Sequence, residues 1–356
     1  MRVIHVIDSL NVGGAERVLI TLCNALYGTA VDLAVCVLTD QQPLRIQLNR
    51  GIRFYDLRRG NKWNLKKMRD FNRWCSGYDI AHVHLRYNLR YAYLARFIFG
   101  GRYKLLLHDH YGDIEQNTDV PGRLRFFMMR AAYVGVHPKL TAWATERVGV
   151  PASNTFTLPN FISKNKAAKP VSHQVSKPVK ILLVSNFREA KNHLFALDFI
   201  ARLRQVIPVE LYLVGQPNDL SYLRQIKERI QVLNLASSVT IDHTISDIQP
   251  VLHQYHAAIH TAFTESGPLV LLEYLAHGFP FLAFQTGEVA HQLKQYIPEL
   301  FIDNYNVDEW SQRFKNLCEA DLEKLGTTMI NTFNTIYAPE VFVQKCLTIY
   351  THILKD

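Results

Sequence analysis

Short apolar runs alternate with segments of helical period along this chain, and the alternation runs through twice. Arg2–Asp8 reads as a strand, Glu16–Tyr27 sets Val18, Leu19, Leu22, Cys23 and Leu26 on one helical face, and Val31–Leu38 reads as a strand again. This order predicts a parallel sheet covered by helices. Ile80–His84, Lys104–His110 and Thr155–Leu158 continue it as strands, with Leu89–Phe99 and Gly122–Ala132 as helices between them. The stretch 164–180, KNKAAKPVSHQVSKPVK, holds two prolines and almost nothing to bury, so it reads as a linker. Beyond it come strands at Ile181–Ser185, Glu210–Val214, Val239–Ile241, Ala257–His260 and Phe281–Phe284. Helices are expected at His193–Gln205, Leu220–Leu233, Ile245–Tyr255 and Pro268–His277. The expected organisation is a doubly wound α/β domain at 1–163, the linker at 164–180, a second such domain at 181–337, and a C-terminal helix in 338–356 that packs back on the first domain. Two such domains would face a central cleft at the carboxyl ends of both sheets, where open α/β sheets bind ligands.

Length and composition agree with two domains. The chain has 356 residues, 48% hydrophobic and 20% charged, which excludes a disordered or fibrous protein. No stretch reaches the roughly 20 apolar residues of a membrane-spanning helix, and Met1–Asp8 runs into a strand without a signal core, so a cytoplasmic protein is expected. Cys23, Cys36, Cys75, Cys318 and Cys346 are scattered without a CxxC pair, which argues against disulfides or a zinc knuckle and for buried thiols.

The net charge of +9 is unevenly placed: residues 1–160 hold 22 basic and 12 acidic side chains, residues 161–356 hold 18 and 19. Arg58, Arg59, Lys62, Lys66, Lys67, Arg69 and Arg73 are interleaved with Trp63, Phe71 and Trp74, and Arg123, Arg125 and Arg130 flank Phe126, Phe127 and Met128. Such mixtures suit an anionic membrane surface, each cation contributing about 1 kcal/mol, and the inner face of the membrane is the expected location. The alternative is a solvated helix face with its aromatics turned inward. No nucleic-acid signature is present.

Three strand-to-helix turns carry candidate chemistry. Asn11-Val12-Gly13-Gly14-Ala15-Glu16 lets backbone approach a ligand at a helix N-terminus, although tight turns use Gly-Gly for their own sake. Ser185–His193 places Arg188 and Lys191 together, suited to a diphosphate, or else forms a charged loop with Asn192 as N-cap. In Thr264–Glu273, Glu265 precedes Ser266-Gly267-Pro268, Pro268 opens a helix, and Glu273 falls in an otherwise apolar stretch where an unpaired carboxylate is costly. These features suit phosphate or sugar oxygens at the helix start and hydroxyls on the two carboxylates, with a salt bridge to Glu273 as the plain alternative.

Two carboxylates around Ser-Gly-Pro, after a Lys-Asn-His turn and a Gly-Gly-Ala-Glu turn, resemble the retaining glycosyltransferases of family 4, across nearly the whole chain. Gly278, Pro280 and Thr286-Gly287-Glu288-Val289 add to the likeness; Ser185-Asn186 departs from it where many members have Gly-Arg. The resemblance implies the GT-B fold, two Rossmann-like domains with acceptor bound by the first and a nucleotide sugar by the second. It further implies Glu273 on the ribose hydroxyls, Arg188 and Lys191 on the diphosphate, Gly13 and Gly14 near it, and Glu265 with Ser266, Gly267, Pro268, Leu269 and Val270 on the sugar and phosphates. Its activity would be transfer of a sugar from a nucleoside diphosphate sugar (UDP or GDP type) to a glycan or lipid-linked acceptor in cell-surface polysaccharide or glycoconjugate synthesis, with no metal or other cofactor.

His82-Val83-His84 and His108-Asp109-His110 each put two rings on one side of a strand end. That spacing can bind a metal, so a metal-dependent hydrolase is the rival reading, and a non-catalytic nucleotide-sugar-binding protein is another. The resemblance instead places a histidine of the second pair near the donor sugar; His110, followed by Tyr111-Gly112, matches better than His108.

Overall fold

The structure is a computed structural model that describes residues 1–111, 114, 117–120, 122–165, 167–265 and 267–355. It divides into two units: residues 1–163 with the C-terminal segment from Pro339, and residues 164–338.

The first unit is built on β1 (Arg2–Ile7), β2 (Asp32–Val37), β3 (Arg53–Asp56), β4 (Ile80–His84), β5 (Lys104–Asp109), β6 (Ala132–Gly135) and β7 (Thr155–Thr157). They form one parallel sheet in the order β3-β2-β1-β4-β5-β6-β7, so chain direction across the sheet reverses between β1 and β4. Every residue of β4, and all but the first of β1, β2 and β5, is buried, as expected of strands covered on both faces. Helices α1 (Gly14–Leu26), α2 (Leu65–Cys75), α3 (Arg86–Ile98) and α4 (Gly122–Met128) belong to this unit. The final helix, Pro339–Lys355, packs on α1, buries Cys346 and Tyr350 completely, and stacks Phe342 on Phe161 with centroids 4.7 Å apart.

The basic segment before and within α2 divides. Phe71 is fully buried and Trp74 stacks on Tyr55 at 4.9 Å, the plain outcome for an amphipathic helix, while Trp63 and Leu65 stay exposed. No helix among the described residues is long and apolar enough to cross a membrane.

The second unit repeats the design with β8 (Val179–Val184), β9 (Val209–Val214), β10 (Val239–Asp242), β11 (Ala257–His260), β12 (Phe281–Phe284) and β13 (Phe301–Ile302), parallel in the order β10-β9-β8-β11-β12-β13. Residues before β8 group with this unit, and Asn165 is tied to it by bonds to Gln249 (2.7 Å) and Asp247 (2.9 Å). The helix expected at Ile245–Tyr255 is only a 3-10 turn, Gln249–Gln254. Side-chain turns displace it: Asp242 accepts from the amide and hydroxyl of Thr244, and Asp247 accepts from the Gln249 amide.

Candidate active site

In the second unit β8 and β11 are neighbours across the point where strand order reverses, so the turns after them lie side by side at the carboxyl edge of the sheet. The turn after β8 carries Arg188 and Lys191; the turn after β11 carries Glu265. Phe263 N–H donates to Ala190 O (2.9 Å), and the Thr261 hydroxyl donates to the carbonyls of Lys191 (3.0 Å) and Asn192 (3.2 Å), joining the two turns. Asn192 takes a left-handed conformation (φ 53°) and caps the helix His193–Leu203 by accepting from Phe195 N. Tyr305 donates to the carbonyls of Thr261 and Ala262, and Gly287 (φ 76°) lets the turn after β12 close on Glu265, whose carbonyl oxygen would lie 2.8 Å from an added Cβ.

These turns bring Lys191 Nζ onto Glu265 Oε1, and place His260 Nε2 3.4 Å from the same oxygen. Lys191 and Glu265 keep only 11% and 17% side-chain exposure. Burial alone would raise the Glu265 carboxyl; the Lys191 charge, with bonding to His260, outweighs it and holds the group at about 2. His193, beneath, stacks on Phe187 at 4.8 Å and bonds Ser185 Oγ at 3.0 Å; burial, helped by the Lys191 charge, lowers it to about 3, so it is neutral. Arg188 is exposed and makes no ion pair with a described residue.

Glu265 is followed by the helix Leu269–His277, which begins one position later than expected, with Pro268 as its N-cap rather than its first residue. Gly267, Pro268, Leu269 and Val270 lie at this N-terminus, and Ser266 lies outside the described residues. Glu273 is 6% exposed on the same helix and does engage a partner. The Thr264 hydroxyl is buried and has no partner among the described residues.

In the first unit Gly13 caps α1 and Gly14 begins it. A Cβ on Gly13 would meet Glu16 Oε2 at 2.3 Å, whereas one on Gly14 would touch nothing within 4 Å. Burial, opposed by a backbone hydrogen bond and reinforced by Asp8, raises the Glu16 carboxyl to about 7.

The histidine pairs join a larger array. Parallel register sets His5 beside His82 and His84 beside His108, and the two-residue period adds His110, so five imidazoles share one face across β1, β4 and β5. Contacts run from His110 Nε2 to His84 Nδ1 (3.1 Å), from His84 Nε2 to His5 Nδ1 (3.1 Å), from His5 Nε2 to the Tyr350 hydroxyl (3.2 Å), and from that hydroxyl to His82 Nδ1 (2.7 Å). A neutral imidazole offers one donor and one acceptor, so this chain closes with a single polarity throughout. Burial lowers His5 and His110 to about 3 and drives His82, His84 and His108 well below the ordinary value. His108 stacks on His110 at 4.3 Å, and neither ring nitrogen of His108 has a partner among the described residues.

Two family models match in succession: one described as glycosyl transferases group 1 over residues 165–331, the other as glycosyltransferase family 4 over residues 12–166. The chain belongs to glycosyltransferase family 4. A search of curated proteins found no match. Among solved structures, a glycosyltransferase from Rickettsia africae superimposes with TM-score 0.77 at 17% identity, covering 100% of this chain and 99% of that one. Sucrose-phosphate synthase from Thermosynechococcus elongatus gives 0.78 at 16%, covering 99% of each chain. HepE of Anabaena, solved with UDP and glucose, gives 0.76 at 15%, again covering 99% of each. These likenesses establish the GT-B fold, two parallel-sheet Rossmann-like domains.

For this family 4 glycosyltransferase the structure joins Lys191 to Glu265, 74 residues apart in sequence, and adds His260, Thr261 and Tyr305, which sequence reasoning missed. In the first unit it adds His5 and Tyr350. Two sets of three histidines, His5-His82-His84 and His84-His108-His110, hold nitrogens within 4.8 Å of one another and could ligate a metal. His84 and His5, however, already use both ring nitrogens in the chain. The nearby Asp109 carboxylate is bound by Arg86 (2.7 Å), Tyr133 (2.6 Å) and the Tyr111 amide (3.1 Å), so it is not available as the base of a hydrolase.

Proposed function

We propose that this glycosyltransferase is a retaining enzyme that moves a sugar from a UDP- or GDP-type donor to a hydroxyl of a glycan or lipid-linked acceptor, in cell-surface polysaccharide or glycoconjugate synthesis. The reading rests on the Lys191–Glu265 pair beside the N-terminus of the helix Leu269–His277. A diphosphate needs cations and free N–H groups, and this edge supplies Lys191, the exposed Arg188 and the helix end. As the sugar departs, the diphosphate gathers charge, and groups aimed at it stabilise the transition state more than the ground state. Glu265, ionised at neutral pH, accepts from sugar hydroxyls, and Glu273 accepts from the ribose. Ser266, Gly267, Pro268, Leu269 and Val270 complete the donor site. The first unit takes the acceptor, with His110, ahead of His108, assigned to the transfer step and Gly13 and Gly14 to the diphosphate. HepE was solved with UDP-glucose, which supports a donor of this class here.

No cation is required in this reading, since Lys191 and Arg188 supply the positive charge. The enzyme works at the inner face of the membrane, held by the cations of residues 58–73 and the exposed Trp63 and Leu65. The test is transfer from radiolabelled nucleotide sugars with and without EDTA. Lys191→Ala and Glu273→Ala should each lower transfer by orders of magnitude with product stereochemistry retained. Near wild-type turnover in both variants would refute the site, and loss of activity in EDTA would refute metal independence.

A further inference from the structure

A cavity of about 510 Å³ opens on the first unit where the two basic segments of the sequence come together. Arg59, Lys62 and Arg90 reach it from α3 and the loop before α2, and Arg123 reaches it from α4. Among the described residues no carboxylate lines it and none of these four cations makes an ion pair; Arg86, also at its wall, pairs with Asp109, and the charges of Asp8 and Glu16 reach Tyr87 beside it. Aromatic faces hold the cations in place: Arg59 lies 5.1 Å over Tyr91, and Arg90 lies 4.9 Å over Trp63. Four cations gathered at one wall repel one another, and a bound anion would relieve that repulsion.

A second observation points the same way. Tyr91 lines the cavity at 6% exposure, and its buried hydroxyl and the buried Arg90 Nε have no partner among the described residues. Buried polar atoms without partners are destabilising, and ligand oxygens would supply the missing bonds.

The cavity is amphipathic. Leu94 and Phe127 line it, and Phe127 touches Tyr93 (5.3 Å), which touches Phe126 (6.0 Å) and Phe97 (6.3 Å). Phe97 is 74% exposed and Phe126 46%, so an apolar strip runs from the cavity wall onto the open face of α3 and α4. A free phosphate would use the cations and leave this strip in water; an anion on an apolar chain covers both.

We infer that this cavity binds the phosphate or diphosphate head of a lipid, whose chain lies along Phe127, Phe126 and Phe97. The inference rests on the proposed function in one respect: it identifies the acceptor of that reaction as lipid-linked, carried on a phosphate-headed anchor.

The test is titration of the full chain with farnesyl diphosphate below its aggregation limit, with inorganic pyrophosphate and with farnesol. Calorimetry and tryptophan fluorescence, which Trp63 at the cavity should dominate, give the readout. Farnesyl diphosphate should bind at least tenfold more tightly than either fragment. Arg90→Gln with Arg123→Gln should weaken it tenfold or more, and Phe97→Ser with Phe126→Ser should weaken it while leaving pyrophosphate unchanged. Circular dichroism checks the fold of both double variants. Lys191→Ala should leave farnesyl diphosphate binding intact, which separates this cavity from the donor site. Equal affinity for pyrophosphate, or wild-type binding by either double variant, would overturn the inference. Failure of a nucleotide sugar to bind while farnesyl diphosphate binding persists would count against the proposed function alone.

Discussion

Replacing Glu265 with glutamine removes the carboxylate that neutralises Lys191 and preserves the side chain's shape. The carboxyl is held at about 2 against an ordinary 4.5, which corresponds to roughly 3 kcal/mol of stability at pH 7. Residual solvent access at 17% and 11% exposure weakens the pair, so the expected loss in Glu265→Gln is about 2 kcal/mol. The sign follows from the lowered value. The contribution is present above the unfolded carboxyl's 4.5 and is lost as pH falls toward 2. Between pH 7 and pH 3.5 the wild-type advantage over the variant should therefore shrink by about 1 kcal/mol. Urea unfolding of both proteins at the two pH values measures it. A difference between the proteins that is the same at both pH values, or below about 0.5 kcal/mol at pH 7, would refute the claim that this ion pair organises the site. The same variant frees Lys191, so a nucleoside diphosphate should bind several-fold more tightly while transfer falls.

Two further substitutions probe the framework. Tyr350→Phe removes the hydroxyl between His5 and His82 and should cost about 1–3 kcal/mol; because burial keeps the histidines neutral, their contribution is present above the unfolded value of 6.5 and is lost on acidification toward 3, so acid unfolding followed by circular dichroism should begin at higher pH in the variant. Gly287→Ala forces an alanine to φ 76° and sets a Cβ 2.8 Å from the Glu265 carbonyl, and it should lower thermal stability by about 1–3 kcal/mol and weaken nucleotide-sugar binding, whereas an unchanged melting temperature with unchanged binding would contradict the packing described.

The fold was largely legible because buried parallel strands such as Leu33–Val37 and Ile181–Leu183 are unbroken apolar runs that periodicity detects. β3, with only partial burial, and β13, two residues long, carry too little pattern to be seen. At the site, Lys191 and Glu265 could be picked out because each follows a strand and precedes a helix. Their mutual contact depends on β8 lying beside β11, which is topology rather than composition. His260 reads as the last residue of an apolar strand. His82, His84, His108 and His110 stood out as pairs, but His5 is isolated in sequence and Tyr350 lies 345 residues from it.

The central claim is that a nucleoside diphosphate sugar binds at the carboxyl edge of the second sheet through Lys191. Calorimetric titration of UDP- and GDP-sugars into wild type and Lys191→Ala tests it most directly. Wild type should bind at least one donor saturably and one-to-one, and the variant should bind it tenfold or more weakly. Binding that the substitution leaves unchanged, or no binding of any such donor, would contradict it.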